Sequence, residues 1–202
     1  MSKRALTVKQ IRAYKPKTLE FTGEWLASLG KPELTGTWII WGNSANGKTR
    51  YALKLAKYLA GFGKVLYNSL EEGLSKSMQQ AIADVGMSDV QRSFLLLDKE
   101  SIGDLAERLK RQRSPNVIFI DSLQYTGLRY DDYKQLRDEF PKKLFIFISH
   151  ASGREPRGEV AQSVRYDAFI KVWVEGFKAY AESRYGGGSE FVIWERGAQR
   201  LE

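Results

Sequence analysis

Gly42-Asn43-Ser44-Ala45-Asn46-Gly47-Lys48-Thr49 sets a glycine, four residues and then Gly-Lys-Thr in a row, which is the spacing of a phosphate-binding loop. Upstream, residues 37–41 (Thr-Trp-Ile-Ile-Trp) read as a buried strand, and downstream residues 49–59 read as a helix. A strand, a glycine-rich turn and a helix, in that order, are the context this spacing requires. Gly42 and Gly47 permit backbone turns that a Cβ would block, so successive N–H groups can converge on phosphate oxygens. The N-terminus of the following helix adds partial positive charge at the same point. The stretch from Gly42 to Thr49 is therefore expected to cradle a nucleoside triphosphate, taken as ATP. Lys48 would lie on the β- and γ-phosphates and the Thr49 hydroxyl on Mg²⁺.

The rest of the chain sets bounds on this reading. A length of 202 residues with 43% hydrophobic content suits one compact α/β domain. Lysine and arginine number 32 against 24 acidic residues, a net charge of +8. That balance favours a polyanionic partner, although a nucleotide or a solvated basic surface accounts for it equally well. The absence of cysteine excludes disulfides, thiol nucleophiles and thiolate metal sites, and fits a reducing, cytoplasmic setting. No apolar run is long enough to span a membrane, and Met1-Ser2-Lys3-Arg4 does not open a secretory signal.

Periodicity supplies the coarse architecture. Residues 1–20 are polar and basic and read as an arm; 21–29 read as a short helix, with Gly30 near its end. Together, 1–35 are expected to form the arm and its helix, and 36–202 the core. Residues 64–69, 94–97, 117–120 and 144–148 read as strands, with helices expected at 75–85 and after Ser101. The continuous apolar runs at 117–120 and 144–148 suit strands buried on both faces of a parallel sheet. Two late strands, 169–174 and 191–194, flank Gly186-Gly187-Gly188, which reads as the loop of a hairpin. The expectation is a mostly parallel central sheet flanked by helices, with an antiparallel C-terminal hairpin.

Carboxylates complete the site. Residues 116–121 form an apolar strand ending in Asp121, at the sheet edge where ligands bind in open α/β folds. Asp121 is expected to hold the metal, usually through water. Glu71 and Glu72 follow the second strand at the same edge, where a carboxylate can orient or deprotonate the attacking water.

Ser69-Leu70-Glu71 resembles the Ser-Leu-Glu segment of DnaB-type replicative helicases, RecA-like P-loop ATPases. Asp121-Ser122-Leu123-Gln124 resembles that family's Asp-Tyr-Leu-Gln, with Ser122 in place of tyrosine. Arg165-Tyr166-Asp167-Ala168 resembles its acidic segment before a late strand, and residues 192–197 its last strand, which carries Lys-Gln-Arg-Asn-Gly. The similarity runs from 37 to 197. It implies a RecA-like fold, with Glu71 as the catalytic carboxylate, Gln124 as a sensor beside Asp121 and His150 as the γ-phosphate sensor. Arg196 would be an arginine finger acting on a neighbouring subunit, which implies a homo-oligomer, ring or filament. Two departures stand out: Trp194 replaces the family's lysine two residues before the finger, and residues 1–35 are not expected to form a primase-interacting domain.

RecA-like proteins bind single strands through two loops, here expected at 126–137 (with Arg129 and Lys134) and 151–165 (with Arg154, Arg157 and Arg165). Arginine's fork suits phosphate, and Tyr130 and Tyr133 are candidates to stack on bases; pairing of the arginines with Asp131, Asp132 and Glu155 is the alternative. Three function classes follow. The first is a Mg-ATP hydrolase coupled to single-stranded DNA in replication or recombination. The second is a nucleotide-gated assembly or signalling ATPase that acts on a protein. The third is a small-molecule kinase, which lacks a recognisable lid helix with paired arginines.

Overall fold

A computed structural model describes residues 5–199; residues 1–4 and 200–202, including the Met1-Ser2-Lys3-Arg4 start, lie outside the described residues. In chain order the elements are helices α1 (Val8–Ala13) and α2 (Gly23–Leu29), strand β1 (Gly36–Gly42), α3 (Lys48–Leu59), β2 (Val65–Ser69), α4 (Lys76–Val85), β3 (Phe94–Asp98) and α5 (Ile102–Lys110). There follow β4 (Val117–Asp121), α6 (Tyr130–Glu139), β5 (Leu144–Ser152), β6 (Glu155–Pro156), α7 (Glu159–Asp167), β7 (Ile170–Glu175), β8 (Lys178–Ser183), β9 (Phe191–Val192) and α8 (Glu195–Ala198). The strands line up as β3-β2-β4-β5-β1-β7-β8-β9. From β3 to β7 every pairing is parallel, while β8 and β9 are antiparallel.

The parallel strands at the centre are buried nearly from end to end, as their mostly apolar content suits. One face of the sheet packs Trp38, Ile40, Tyr67, Phe119 and Ile146 against α3, whose Ala52, Leu55, Ala56 and Leu59 form its inward stripe. The other packs Ile39, Ile118, Ile120 and Phe147 against Leu105, Leu136 and Val164 of α5, α6 and α7. The helix starts follow local chemistry. Ser75 and Ser101 accept from the backbone N–H groups of Met78 and Asp104, and Gly86 ends α4 in the left-handed conformation at φ 70°. Leu19, Phe21, Leu29 and Leu34 join the same core as α3, so residues 19–34 pack as part of the domain. Helix α1 contributes no buried residue.

Several elements differ from expectation. The stretch 126–137 is helical from Tyr130 on, and 151–165 divides into the β5–β6 hairpin with the turn after it and the first residues of α7: α6 buries Tyr133 and Leu136, and α7 buries Ala161 and Val164. Their apolar positions are few and the helices are otherwise charged, so the periodic signal is weak. Tyr133 is fully buried, with its hydroxyl 3.3 Å from Thr37 Oγ1, so it cannot stack on a base. The C-terminal hairpin is formed by β7 and β8, which turn through Gly176 and Phe177 at φ 56° and 58°. Two successive left-handed residues make the tight turn that matches strand twist, but Phe177 stands where Asn or Gly usually marks it. Gly186-Gly187-Gly188 lies instead between β8 and β9. A Cβ at Gly187 would come 2.6 Å from the Ser28 carbonyl at the end of α2, so this glycine serves a close approach. The last strand closes at Val192, and Arg196 sits on the short α8.

Candidate active site

Four parallel strands deliver the expected residues to one edge. In register, Gly42 of β1 lies beside His150 of β5, and Asp121 of β4 lies between Ser69 of β2 and Ile148 of β5. The turn after β2 is drawn onto β4, since the Leu70 and Glu71 N–H groups donate to the Asp121 carbonyl at 2.6 and 3.1 Å. The phosphate-loop residues, Glu71, Asp121 and His150 therefore share the crevice at the carboxyl ends of the strands.

The loop from Gly42 to Thr49 is held by its own glycines and by the distant hairpin. A Cβ on Gly42 would collide with the Val174 carbonyl of β7, so only glycine allows this approach. Gly47 takes φ 96° immediately before α3, a conformation that bears a side chain only under strain. Asn46 accepts at both its oxygens: Oδ1 from the Gly176 N–H at 2.8 Å and its carbonyl from the Phe177 N–H at 3.2 Å. The turn of the β7–β8 hairpin thus clamps the loop. Lys48 Nζ donates to the Asn43 carbonyl at 2.9 Å, across the loop's own opening. Partial burial lowers the pKa of Lys48, and the carboxylates of Asp121 and Glu71 oppose that.

Asp121 is buried, and the Tyr67 hydroxyl donates to its Oδ2 at 2.5 Å. Burial pushes the Asp121 carboxyl up to about 6, an effect the hydrogen bond from Tyr67 opposes. Burial and the same carboxylate hold the Tyr67 phenol well above its ordinary value, so it stays protonated and donates. Tyr67 is a site residue that the sequence does not mark: its phenol is one polar group among several in β2, beside Asn68 and Ser69.

Glu71 and Glu72 are distinguished by their partners. Glu72 Oε2 accepts from Ser77 Oγ at 2.5 Å and Ser75 Oγ at 3.3 Å, which ties it to the start of α4. Glu71 turns to the strand edge, where its Oε2 lies 2.8 Å from His150 Nε2. Gln124 ties the end of β5 together. Its Nε2 donates to Ser149 Oγ and to the Arg157 carbonyl, both at 2.8 Å, and its Oε1 accepts from the His150 N–H at 3.1 Å. Ser149 and the Arg157 carbonyl were not foreseen, because nothing local in the sequence marks them.

Arg196 is exposed on α8 and, among the described residues, has no ion-pair partner. Before it, Trp194 packs edge-on against Phe177 at 5.1 Å, with the Arg50 guanidinium 5.5 Å from its ring. Arg129 caps α6 near Asp132 (3.5 Å), and Arg165 pairs with Glu155 at 2.8 Å. Arg154 and Arg157 are exposed on the β5–β6 hairpin and the turn after it.

The crevice fits a Mg-bound triphosphate on its own chemistry. The glycine turns take a path that a Cβ at Gly42 or Gly47 would block against the Val174 carbonyl or the Phe177 ring, and N–H groups at a helix start suit phosphate. Among the described residues no cluster of three or more His, Cys, Asp or Glu forms a metal cage. A magnesium ion would therefore rest on Thr49, Asp121 and phosphate oxygens, the sparse oxygen set that Mg²⁺ accepts.

No family model matches the chain, and no curated protein does. Solved structures do resemble it. The flagellar accessory protein FlaH from Methanocaldococcus jannaschii superposes with a TM-score of 0.62 at 16% identity, covering 88% of this chain and 94% of that one. A second solved structure, the ATPase domain of another protein, superposes with a TM-score of 0.55 at 15% identity, covering 77% of this chain and 80% of that one. The fold is thus RecA-like: a mostly parallel sheet flanked by helices, with an antiparallel C-terminal hairpin.

Proposed function

We propose that this chain is an ATPase that hydrolyses Mg-ATP as an oligomer and couples the reaction to single-stranded DNA. The observation that carries the hydrolytic part is the convergence of Lys48, Glu71, Asp121 and His150 at one sheet edge, beside a glycine-built phosphate cradle. The likenesses to FlaH and to the second ATPase domain support the fold on which this reading rests.

Lys48 exchanges the Asn43 carbonyl for phosphate oxygens when the triphosphate enters. Magnesium held by Thr49 and Asp121 would neutralise charge building on the phosphoryl oxygens. Glu71 orients and deprotonates the attacking water; Glu72, occupied by two serines, is not free for that role. His150 holds Glu71 before the substrate arrives. A γ-phosphate offers His150 a second acceptor, so the pair can separate and release Glu71 toward water. Because Gln124 bonds both His150 and Arg157, the same movement is felt on the hairpin that carries Arg154 and Arg157. Those exposed cations, with Arg129, would meet the strand's phosphates, whereas Arg165 is held by Glu155 and the Trp41 ring. Arg196, exposed on α8, would complete a neighbour's site.

A second reading rests on α1: Leu6, Val8, Ile11 and Tyr14 are all more than half exposed. An apolar arm of this kind suits a protein partner, and an assembly ATPase would use it without DNA. The deciding measurement is the ATPase rate with and without single-stranded DNA, alongside solution mass with nucleotide. Stimulation by DNA supports the first reading. A nucleotide-dependent assembly whose rate ignores DNA supports the second.

A further inference from the structure

Beside the proposed DNA-facing hairpin lies a cleft of about 580 Å³ that the ATP site does not use. Its floor is one face of the sheet. Along β7 the residues alternate: Ile170, Val172 and Val174 are buried in the core, while Lys171, Trp173 and Glu175 face the other way. Register sets Trp41 of β1, Trp173 of β7 and Tyr180 of β8 in a single row across three strands. The Trp41 and Trp173 rings are 5.8 Å apart, and Tyr180 is 42% exposed. The β5–β6 hairpin forms one wall, held there by the Trp41 Nε1–H, which donates to the Arg154 carbonyl at 2.9 Å. Arg165 completes it, 5.1 Å from the Trp41 ring and paired with Glu155 at 2.8 Å. Its Nε–H is buried without an acceptor, an unmet donor in the wall.

The charges in the cleft balance: Arg154, Arg165 and Lys171 face Glu155, Glu175 and Glu182. A neutral cleft does not attract phosphate. An aromatic row with donors and acceptors around it suits an uncharged, planar heterocycle. The cations that suit phosphate, Arg154 at the rim and Arg157 beyond it, are exposed on and just after the hairpin. Base inside and phosphate outside is the arrangement of a nucleic-acid strand rather than of a free nucleotide. We propose that this cleft receives a base of a single strand, stacked on Trp173 and Tyr180. This rests on the DNA-coupled reading and gives it a position. It also gives a route to the ATP site, because Trp41 directly precedes Gly42 and fastens the hairpin whose Arg157 carbonyl is bonded to Gln124.

The test measures binding of the full chain to fluorescent oligothymidylate, to the same strand with abasic sugars, and to free thymidine by tryptophan quenching. Base stacking is worth roughly tenfold in affinity per base, so the base-bearing strand should bind at least about tenfold tighter than the abasic one. Trp173→Ala and Tyr180→Ala should erase that preference while keeping weak, salt-dependent binding to both strands. Trp173→Phe should retain most of it, and so separates loss of the ring from loss of the fold. Equal wild-type affinity for the two strands, or a preference that survives in both alanine variants, overturns the cleft and leaves the DNA reading standing. Thymidine quenching as strong as the strand's at equal concentration makes the cleft a nucleoside site and overturns the strand proposal. No binding of either strand by wild type, even at low salt, overturns the DNA reading and the cleft with it.

Discussion

The turn from Gly42 to Lys48 and the turn from Ser152 to Arg157 leave neighbouring strands at the same sheet edge, and they are held by different means. The first depends on glycine geometry, with Gly42 against the Val174 carbonyl and Gly47 at φ 96°, and is fastened at Asn46 by backbone N–H groups of the β7–β8 turn. The second is fastened by side chains from far along the chain, with the Trp41 indole on the Arg154 carbonyl and the Gln124 amide on the Arg157 carbonyl. A turn set by glycine geometry tolerates almost no change of residue at its glycines. A turn hung from remote hydrogen bonds can shift when one of them breaks. On the proposed function, the rigid turn holds the triphosphate and the adjustable one reports its state.

The most severe break lies in the crevice that both turns border, where Glu71 meets His150. Glu71→Gln should lower turnover by roughly 10²–10⁴-fold, the range of a general base, while nucleotide still binds; single-turnover kinetics with a fluorescent ATP analogue would show both. Near-normal hydrolysis would dissociate Glu71 from the chemistry. Gly42→Ala forces a methyl into the Val174 carbonyl and should cost about 1–3 kcal/mol of stability as overpacking does. It should weaken nucleotide binding more than any single change in the second turn; chemical denaturation and calorimetry test this.

Asp121 supplies a pH test of the first turn's surroundings. Its carboxyl lies near 6 in the fold against an ordinary 3.8, because burial disfavours its charge. Folding is therefore favoured by its protonated form below about pH 4, and that contribution is lost as pH rises through about 6. In EDTA, Asp121→Asn should exceed wild type in stability by roughly 1–3 kcal/mol at pH 7.5, with the gap closing toward pH 4. A gap that does not change with pH would mean that another group sets the effect.

The smallest effects compare the turns directly. Asn46→Ala removes two side-chain hydrogen bonds, with the Gly176 N–H and the Ser44 carbonyl, and Trp41→Phe removes one, each worth about 1 kcal/mol. Hydrogen exchange should rise in residues 43–48 and 176–177 for the first variant and in 152–157 for the second. Equal increases in both segments for either variant would erase the distinction between them.

The same distinction explains what the sequence reveals. The phosphate loop, the parallel strands and the C-terminal position of the antiparallel hairpin are readable because glycine spacing and apolar runs are local properties. The β7–β8 turn escapes notice because Phe177 occupies a left-handed position usually marked by Asn or Gly. Helices α6 and α7 escape it because two buried positions suffice to anchor each among charged neighbours. The links from Tyr67 to Asp121 and from Gln124 to Arg157 join residues 54 and 33 positions apart, and no spacing rule reaches that far.

The clamp on Asn46 has a consequence for how the protein comes into being. Its two donors, Gly176 and Phe177, lie 130 and 131 positions downstream. During synthesis the Gly-Lys-Thr segment leaves the ribosome early, yet its final constraint is missing until nearly the whole sheet has been made. On the proposed function, competence to hold a triphosphate would therefore come late in folding, after the slow, non-local strand pairings are in place. Partly made or truncated chains that end before Phe177 would carry the motif without the clamp on Asn46.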